Sequence, residues 1–293
     1  MRGRFVVASA WLCVALFATP GTASAQGSSA TLPSDPPQES HHALPFLQDK
    51  VPEEYRGQVP LPVGISFVYV HQALPLVINN PEFVVAGLPL PPGLVQGGSL
   101  KAVTNTLVAR ADVWLLPFLD VYGTAAHLSG DARDISVNLA APVPIPIPGE
   151  VSFSGSDYGV GFTAAFGYRG FFASYDVNWN WAKPDVINRV RVQVQSPRVG
   201  VLFVPWGVHG KVYAGAMRLA IAGTQTGSVS LPGLALDRTP PPYTLEFSLQ
   251  ARPESTWSPL VGAEFEITRH LMVVAEGAFG KTSQVLVSTG YRF

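Results

Sequence analysis

Phe171-Phe172-Ala173-Ser174-Tyr175-Asp176-Val177-Asn178-Trp179-Asn180-Trp181 alternates without a break between two kinds of side chain. Phe171, Ala173, Tyr175, Val177, Trp179 and Trp181 share one parity, and Phe172, Ser174, Asp176, Asn178 and Asn180 share the other. Successive side chains of a strand point to opposite faces, so this is a strand with one aromatic, apolar face and one wet face. The segment before it behaves alike. Tyr158, Val160, Phe162, Ala164, Phe166 and Tyr168 alternate with Asp157, Gly159, Gly161, Thr163, Ala165 and Gly167, and Tyr168-Arg169-Gly170 reads as a tight hairpin turn.

Working outward, the same period predicts strands at Val63–His71, Leu100–Leu116, Val121–Asn138, Val151–Tyr168, Phe171–Trp181, Val190–Val204, Val208–Ala222, Trp257–Ile267, Leu271–Phe279 and Gln284–Phe293. Their connections alternate in length. Pro117–Asp120, Arg169–Gly170, Pro205–Gly207 and Thr268–His270 are tight, whereas Pro75–Ser99, Leu139–Glu150 and Gly223–Thr256 are long. Alternation alone also fits a soluble sandwich, but tight turns at one end and longer loops at the other fit an up-and-down antiparallel transmembrane β-barrel. The expected count is about ten strands, with twelve as the alternative. Tyr243–Gln250 also alternates and is read as part of an external hairpin, because a further spanning strand would make the count odd. At Ser196-Pro197 the polar parity changes from Arg191, Gln193 and Gln195 to Arg198, which suggests a β-bulge or an extension above the membrane.

Composition agrees. Of 293 residues, 47% are hydrophobic and only 13% charged, against roughly 25% charged in a soluble domain, and the mean hydropathy is +0.23. Yet no apolar run of about 18 residues follows the N-terminal segment, so no transmembrane helix is expected. The 28 Gly and 27 Pro argue against long helices, and the 16 Phe, 9 Tyr and 6 Trp argue against disorder.

Residues 1–25 read as a signal peptide: Arg2 and Arg4, an apolar core from Phe5 to Ala18, then the small residues Thr22-Ala23-Ser24-Ala25 before Gln26. Its removal takes away Cys13, the sole cysteine, and two arginines, leaving a formal charge of −3 and no thiol chemistry. That balance gives no hint of nucleic acid. Residues 26–61 are Pro-rich without sustained period and read as a periplasmic N-terminal arm, leaving 62–293 for the barrel.

The last strand carries Val285, Val287, Thr289, Tyr291 and Phe293 on one face. It resembles the terminal signature of bacterial outer-membrane β-barrels of Gram-negative organisms. That resemblance implies that Tyr291 and Phe293 belong to the signal read by the barrel assembly machinery, with both termini periplasmic. Ala111–Gly123, Pro60–Ser66 and Ser196–Gly200 are similar to segments of one proteobacterial group of such barrels. This similarity implies fold and location, and no reaction comes with it.

The wet face holds the candidate lumen residues Arg110, Asp112, Asp157, Asp176, Glu264, Glu266, Glu276 and Arg292, with Arg198 and Arg218 added. They suit either a polar plug of paired charges or a narrow porin-like pore for passive passage of small solutes, in which the three glutamates favour cations. The competing class is a non-conducting structural or surface-interaction barrel working through its loops. Three predicted external loops are apolar and Pro-rich, presenting Leu88 and Leu90, then Val143, Ile145 and Ile147, then Leu234. These are expected to pack as a cap over the barrel mouth or to form an apolar vestibule. No enzymatic activity or cofactor is expected. His127, Ser129 and Asp131 share a strand face, but same-face neighbours stand about 6.8 Å apart, too far for a catalytic triad. His41-His42 alone makes a poor metal site, and no metal is expected.

Overall fold

The computed structural model describes residues 44–47, 60–85, 87–91, 93–139, 144–146, 150–168, 170–203, 209–231 and 243–293. Among the described residues there is no helix. The strands in chain order are β1 (Val63–Val85), β2 (Leu88–Pro89), β3 (Val95–Leu116), β4 (Leu119–Leu139), β5 (Pro144–Pro146), β6 (Val151–Tyr168) and β7 (Phe171–Pro184). They continue as β8 (Val190–Phe203), β9 (His209–Ala222), β10 (Gln225–Leu231), β11 (Tyr243–Pro253), β12 (Trp257–Glu266), β13 (Leu271–Ala278) and β14 (Ser283–Arg292).

Ten of them form an antiparallel ring in the order β1, β3, β4, β6, β7, β8, β9, β12, β13, β14. The ring closes where β14 pairs with β1, from Gly64↔Arg292 to Ala73↔Ser283. Closure leaves no free edge in the wall. The ten ring strands are those the alternation predicts.

The parities sort as the period demands. Ile65, Phe67, Leu107, Val160, Phe166, Phe171, Tyr175, Val199, Val261, Val287 and Tyr291 stand exposed on the outer face. Such a continuous apolar exterior is costly in water and suits a hydrocarbon surround. From Phe171 to Trp181 the outer band spans ten strand steps, which at about 3.4 Å each and a tilt of about 40° is about 25 Å of height. Aromatic residues mark its limits, with Phe166, Tyr168, Phe171 and Phe293 at the turn end and Tyr158 and Trp179 at the other.

The two ends differ. At the turn end, 117–118 join β3 to β4, and Tyr168 of β6 pairs with Phe171 of β7. At the far end β1, β3 and β4 run on for 23, 22 and 21 residues in all. The long connection expected from Pro75 is therefore mostly ladder, with β1 and β3 paired as far as Asn79↔Gly97. A bulge between Asn79 and Glu82, where Asn80 takes φ 48°, re-aims β1 toward its last partner.

That partner is the hairpin β10–β11. β11 pairs with β1 from Leu76↔Pro253 to Val85↔Leu245, along the edge that β14 occupies lower down. β10 bridges to the β7–β8 connection at Ile187↔Gly227. The hairpin thus raises the wall where β12, β13 and β14 are only 10, 8 and 10 residues long. Ile78, Leu249 and Ala251 form its small buried core, with Leu76, Leu100 and Phe247 against it. Tyr243–Gln250 is, as the odd count requires, not a member of the ring.

The bulge entertained at Ser196-Pro197 is absent. The β7–β8 register runs unbroken from Phe171↔Val201 to Ala182↔Val190, and β8–β9 resumes beyond Pro197 without a shift. Gln193 and Gln195 are polar on the outer face instead, opposite Trp179 and Val177, and Tyr175 Oη donates to Gln195 Oε1 at 3.0 Å. Val151 and Phe153 face inward at the far end, with Phe153 against Gly130.

Candidate functional site

The inner face carries a belt of charge and phenol that runs round the ring. Register decides its membership: Arg292, Gly64, Asp112, Tyr122 and Gly161 are successive partners across β14, β1, β3, β4 and β6. Glycines therefore stand beside the large polar side chains, Gly64 between Arg292 and Asp112 and Gly161 next to Tyr122. A Cβ on Gly64 would lie 2.7 Å from Asp112 Oδ2, and one on Gly161 would lie 2.5 Å from the Tyr122 hydroxyl. The glycines are the floor on which these side chains lie.

The first arc is continuous. Arg292 donates from Nη2 to Asp112 Oδ2 at 2.5 Å and from Nη1 to the Leu61 carbonyl at 2.8 Å. Arg110 Nε lies 3.7 Å from Asp112 Oδ1, and its Nη2 donates to Asp120 Oδ2 at 2.5 Å. The same guanidinium stacks 3.7 Å above the Tyr122 ring. Tyr122 Oη and Thr163 Oγ1 both donate to Asp176 Oδ2, at 2.9 and 2.7 Å.

The second arc covers the remaining strands. Arg198 on β8 reaches Glu276 on β13, donating from Nε at 2.8 Å and from Nη2 at 3.3 Å, across the intervening β9 and β12, and the Asp176 carboxylate on the neighbouring β7 also acts on it. Tyr213 lies beside it, with the guanidinium carbon 5.8 Å from the ring centre, and Gly262 leaves room for that ring. Tyr213, Met217, Leu260 and Ala278 make an apolar cluster here, flanked by Phe172 and Val194. Toward the turn end Lys211 donates to Glu264 Oε1 at 2.6 Å and sits 3.8 Å from Glu266.

Nine of the ten predicted lumen residues face inward: Arg110, Asp112, Asp157, Asp176, Arg198, Glu264, Glu266, Glu276 and Arg292. Arg218 is the correction. It pairs with Gln195 and Trp257, both on the outer parity, because inward positions of β9 are odd-numbered and begin at His209 and Lys211. Asp157 faces inward but stays outside the network, with a buried Oδ1 that lacks a hydrogen-bond partner.

Four belt members escaped the sequence reading. Asp120 falls in the expected Pro117–Asp120 turn, yet the turn is only 117–118 and Asp120 already points inward, 2% exposed. Lys211 stands in a mixed segment with no clear parity. Tyr122 and Tyr213 carry no local sign of the face they take, and the signal that would reveal them is the glycine opposite each, Gly161 and Gly262.

The other expected features are scattered. His127 and Ser129 stand exposed on the outer face, while Asp131 is engaged by Arg133 Nη2 at 3.2 Å. Arg133 also donates to Glu150 at 2.6 Å. Tyr291 and Phe293 lie on the outer face at the turn end with ring centres 5.0 Å apart, and His270 stacks on Tyr291. Of the loop apolar residues, Leu88 is 72% exposed, so the described part of that loop is not packed into a cap. The Leu90 amide donates to the Phe83 carbonyl at 2.9 Å, and the Ile145 backbone pairs with Val137. Val143, Ile147, Leu234, His41 and His42 lie outside the described residues.

Among the described residues four inward cations (Arg110, Arg198, Lys211, Arg292) meet five carboxylates (Asp112, Asp120, Glu264, Glu266, Glu276), while Asp176 is held by Tyr122 and Thr163 and Asp157 stands apart. Where water is scarce, breaking such a pair from one side is costly, because the charge that remains is left uncompensated at low dielectric.

No family model matches the chain, and no curated protein matches it. Among solved structures, the β domain of the Bordetella autotransporter BrkA is similar at 10% identity over 80% of this chain and all of that one, with a TM-score of 0.38. The transport unit of the Escherichia coli autotransporter AIDA-I has 11% identity over 79% of this chain and 90% of its own, with a TM-score of 0.32. An outer membrane channel from Pseudomonas putida F1 has 10% identity over 80% and 96%, with a TM-score of 0.33.

Proposed function

We propose that this chain is an outer-membrane barrel whose lumen is braced shut by its charge belt and which works through its tall far end as a structural or surface-interaction protein. The observation that carries the reading is the burial of inward carboxylates. Asp112, Asp120, Asp176 and Glu276 are 7, 2, 9 and 6% exposed although they line the interior. In a water-filled pore such groups would be wet. A barrel of about ten strands has little room beyond its own side chains, and here the inner wall is lined by ion pairs that reach over one to three neighbouring strands.

The outer apolar band supports membrane lipid as its surround. The strand extensions and the β10–β11 hairpin support an orientation with the far end outside and both termini periplasmic. Tyr291 and Phe293, exposed on the last strand, support recognition by the assembly machinery. The role is non-enzymatic and needs no cofactor or nucleic acid.

A narrow channel for small solutes is the second reading, favoured by the carboxylate excess and by the half-exposed Glu266 at the turn end. Planar-bilayer recording from the refolded full chain separates the two. The braced barrel gives no sustained openings, and steady cation-selective openings in the unaltered protein would overturn it in favour of the channel.

A further inference from the structure

We propose that an outward patch formed by Lys183, Arg189 and Arg191 above Tyr158 and Trp181 binds the phosphate of an anionic lipid headgroup. The placement follows from register. Tyr158 pairs with Trp181, which pairs with Arg191, and one row further from the turn end Ser156 pairs with Lys183. Arg189 precedes β8 by one residue, which sets it level with Lys183. Ser156, Tyr158, Trp181, Lys183 and Arg189 line a groove of about 210 Å³ on this outer surface.

Three cations are therefore gathered on one face. Among the described residues none of them has a carboxylate within ion-pair distance. The acid nearest in sequence, Asp185, is turned to Ser154, accepting from its amide at 3.0 Å and its hydroxyl at 3.3 Å. Like charges held together without a counter-charge repel, and a shared anion relieves that repulsion. Guanidinium groups match the oxygens of a phosphate in paired, charge-assisted hydrogen bonds.

The height of the patch names the kind of anion. Trp181 lies at the upper limit of the apolar band, so the three cations stand just beyond the hydrocarbon, where lipid phosphates lie. Tyr158, 59% exposed, and Trp181 offer apolar rings to the acyl or sugar portion directly below a bound phosphate. A free phosphate ion has the same oxygens and nothing for those rings to hold. The inference rests on the bilayer-spanning reading and is independent of whether the lumen conducts.

The test uses the full chain inserted into phosphatidylcholine vesicles, then extracted for native mass spectrometry with a bisphosphorylated glycolipid or its dephosphorylated counterpart. Wild type should retain the phosphorylated lipid selectively. Each cation removed should weaken retention about fivefold, so K183Q/R189Q/R191Q should lose the preference, while Lys101→Gln, elsewhere on the far end, should keep it. Heat-modifiable gel mobility verifies that each variant is folded. Equal retention by wild type and the triple variant, or of both lipids by wild type, would overturn the proposal. So would full displacement of the lipid by equimolar inorganic phosphate, which would make the site one for the free ion. Failure of wild type to insert into vesicles would instead defeat the bilayer-spanning reading beneath it.

Discussion

Replacing Glu276 with Ala removes the acceptor of both close Arg198 hydrogen bonds, and the hydrogen bond that remains to the guanidinium is the long one to the Ser196 carbonyl at 3.4 Å. The side chains are 4% and 19% exposed, so water does little to replace the lost partner. Breaking a buried pair from one side costs about 3–5 kcal/mol. An internal control is the Lys281–Glu254 pair, whose side chains are 59% and 42% exposed, and where Glu254→Ala should cost below about 1 kcal/mol. Guanidinium unfolding of the refolded barrel in micelles, followed by tryptophan fluorescence and gel mobility, measures both. The double variant Arg198→Met/Glu276→Leu should recover most of the loss, because it removes the orphaned charge along with its partner. The reasoning is refuted if Glu276→Ala costs no more than Glu254→Ala and the double cycle is additive, since the pair would then be solvated in an open lumen.

Gly161→Val sets a side chain where the Tyr122 ring and the Val177 carbonyl each lie 2.5 Å from the added Cβ. It should destabilise the barrel by about 1–3 kcal/mol and release Tyr122 from Asp176, read as a changed tyrosine fluorescence. Gln225→Ala strips the acceptor 2.7 Å from the Ala251 amide at the buried foot of the hairpin. About 1–3 kcal/mol of local stability should be lost, with faster hydrogen exchange in β11 and none of that change in β13. Asp131, above the apolar band, has its carboxyl held below the ordinary range by the Ser152 hydroxyl first and by Arg133 as well. A depressed folded-state value contributes stability above the unfolded value near 4 and loses it as pH falls through the folded one. Exchange protection at the β4–β6 far end should accordingly decline on acidification below pH 4, and Asp131→Asn should remove that dependence.

The ring was legible because one face of every spanning strand must be apolar over the same height, and a period of two survives in sequence without knowledge of partners. Phe171–Trp181 shows this most clearly. Parity fails where a strand is mixed: Arg218 sits between Met217 and Leu219, both inward, so its polarity suggested the wrong face. The belt was half legible. Charges such as Glu276 announce themselves on a wet face, whereas Tyr122 and Tyr213 face inward only because a glycine on the adjacent strand leaves a hollow. That pairing depends on register across 39 residues in one case and 49 in the other, which no local pattern encodes. The height of β1 and the docking of β11 on it were hidden for the same reason, since Pro75 and Pro81 punctuate a segment whose partners lie far along the chain.

The end-to-end placement of β14 and β11 on one edge of β1 bears on how the ring can shut. Joining Ala73 directly to Ser283 closes a loop of 210 residues. Once Leu76 has met Pro253, the free chain that still has to close, from 253 to 283, is about 30 residues. Loop-closure entropy grows as (3/2)RT ln n, so the last step is cheaper by about 2 kcal/mol. With β11 docked first, the hairpin acts as a clasp on the seam: it fixes the register of β1 for the final strand, so that a slipped seam must undo β11 as well.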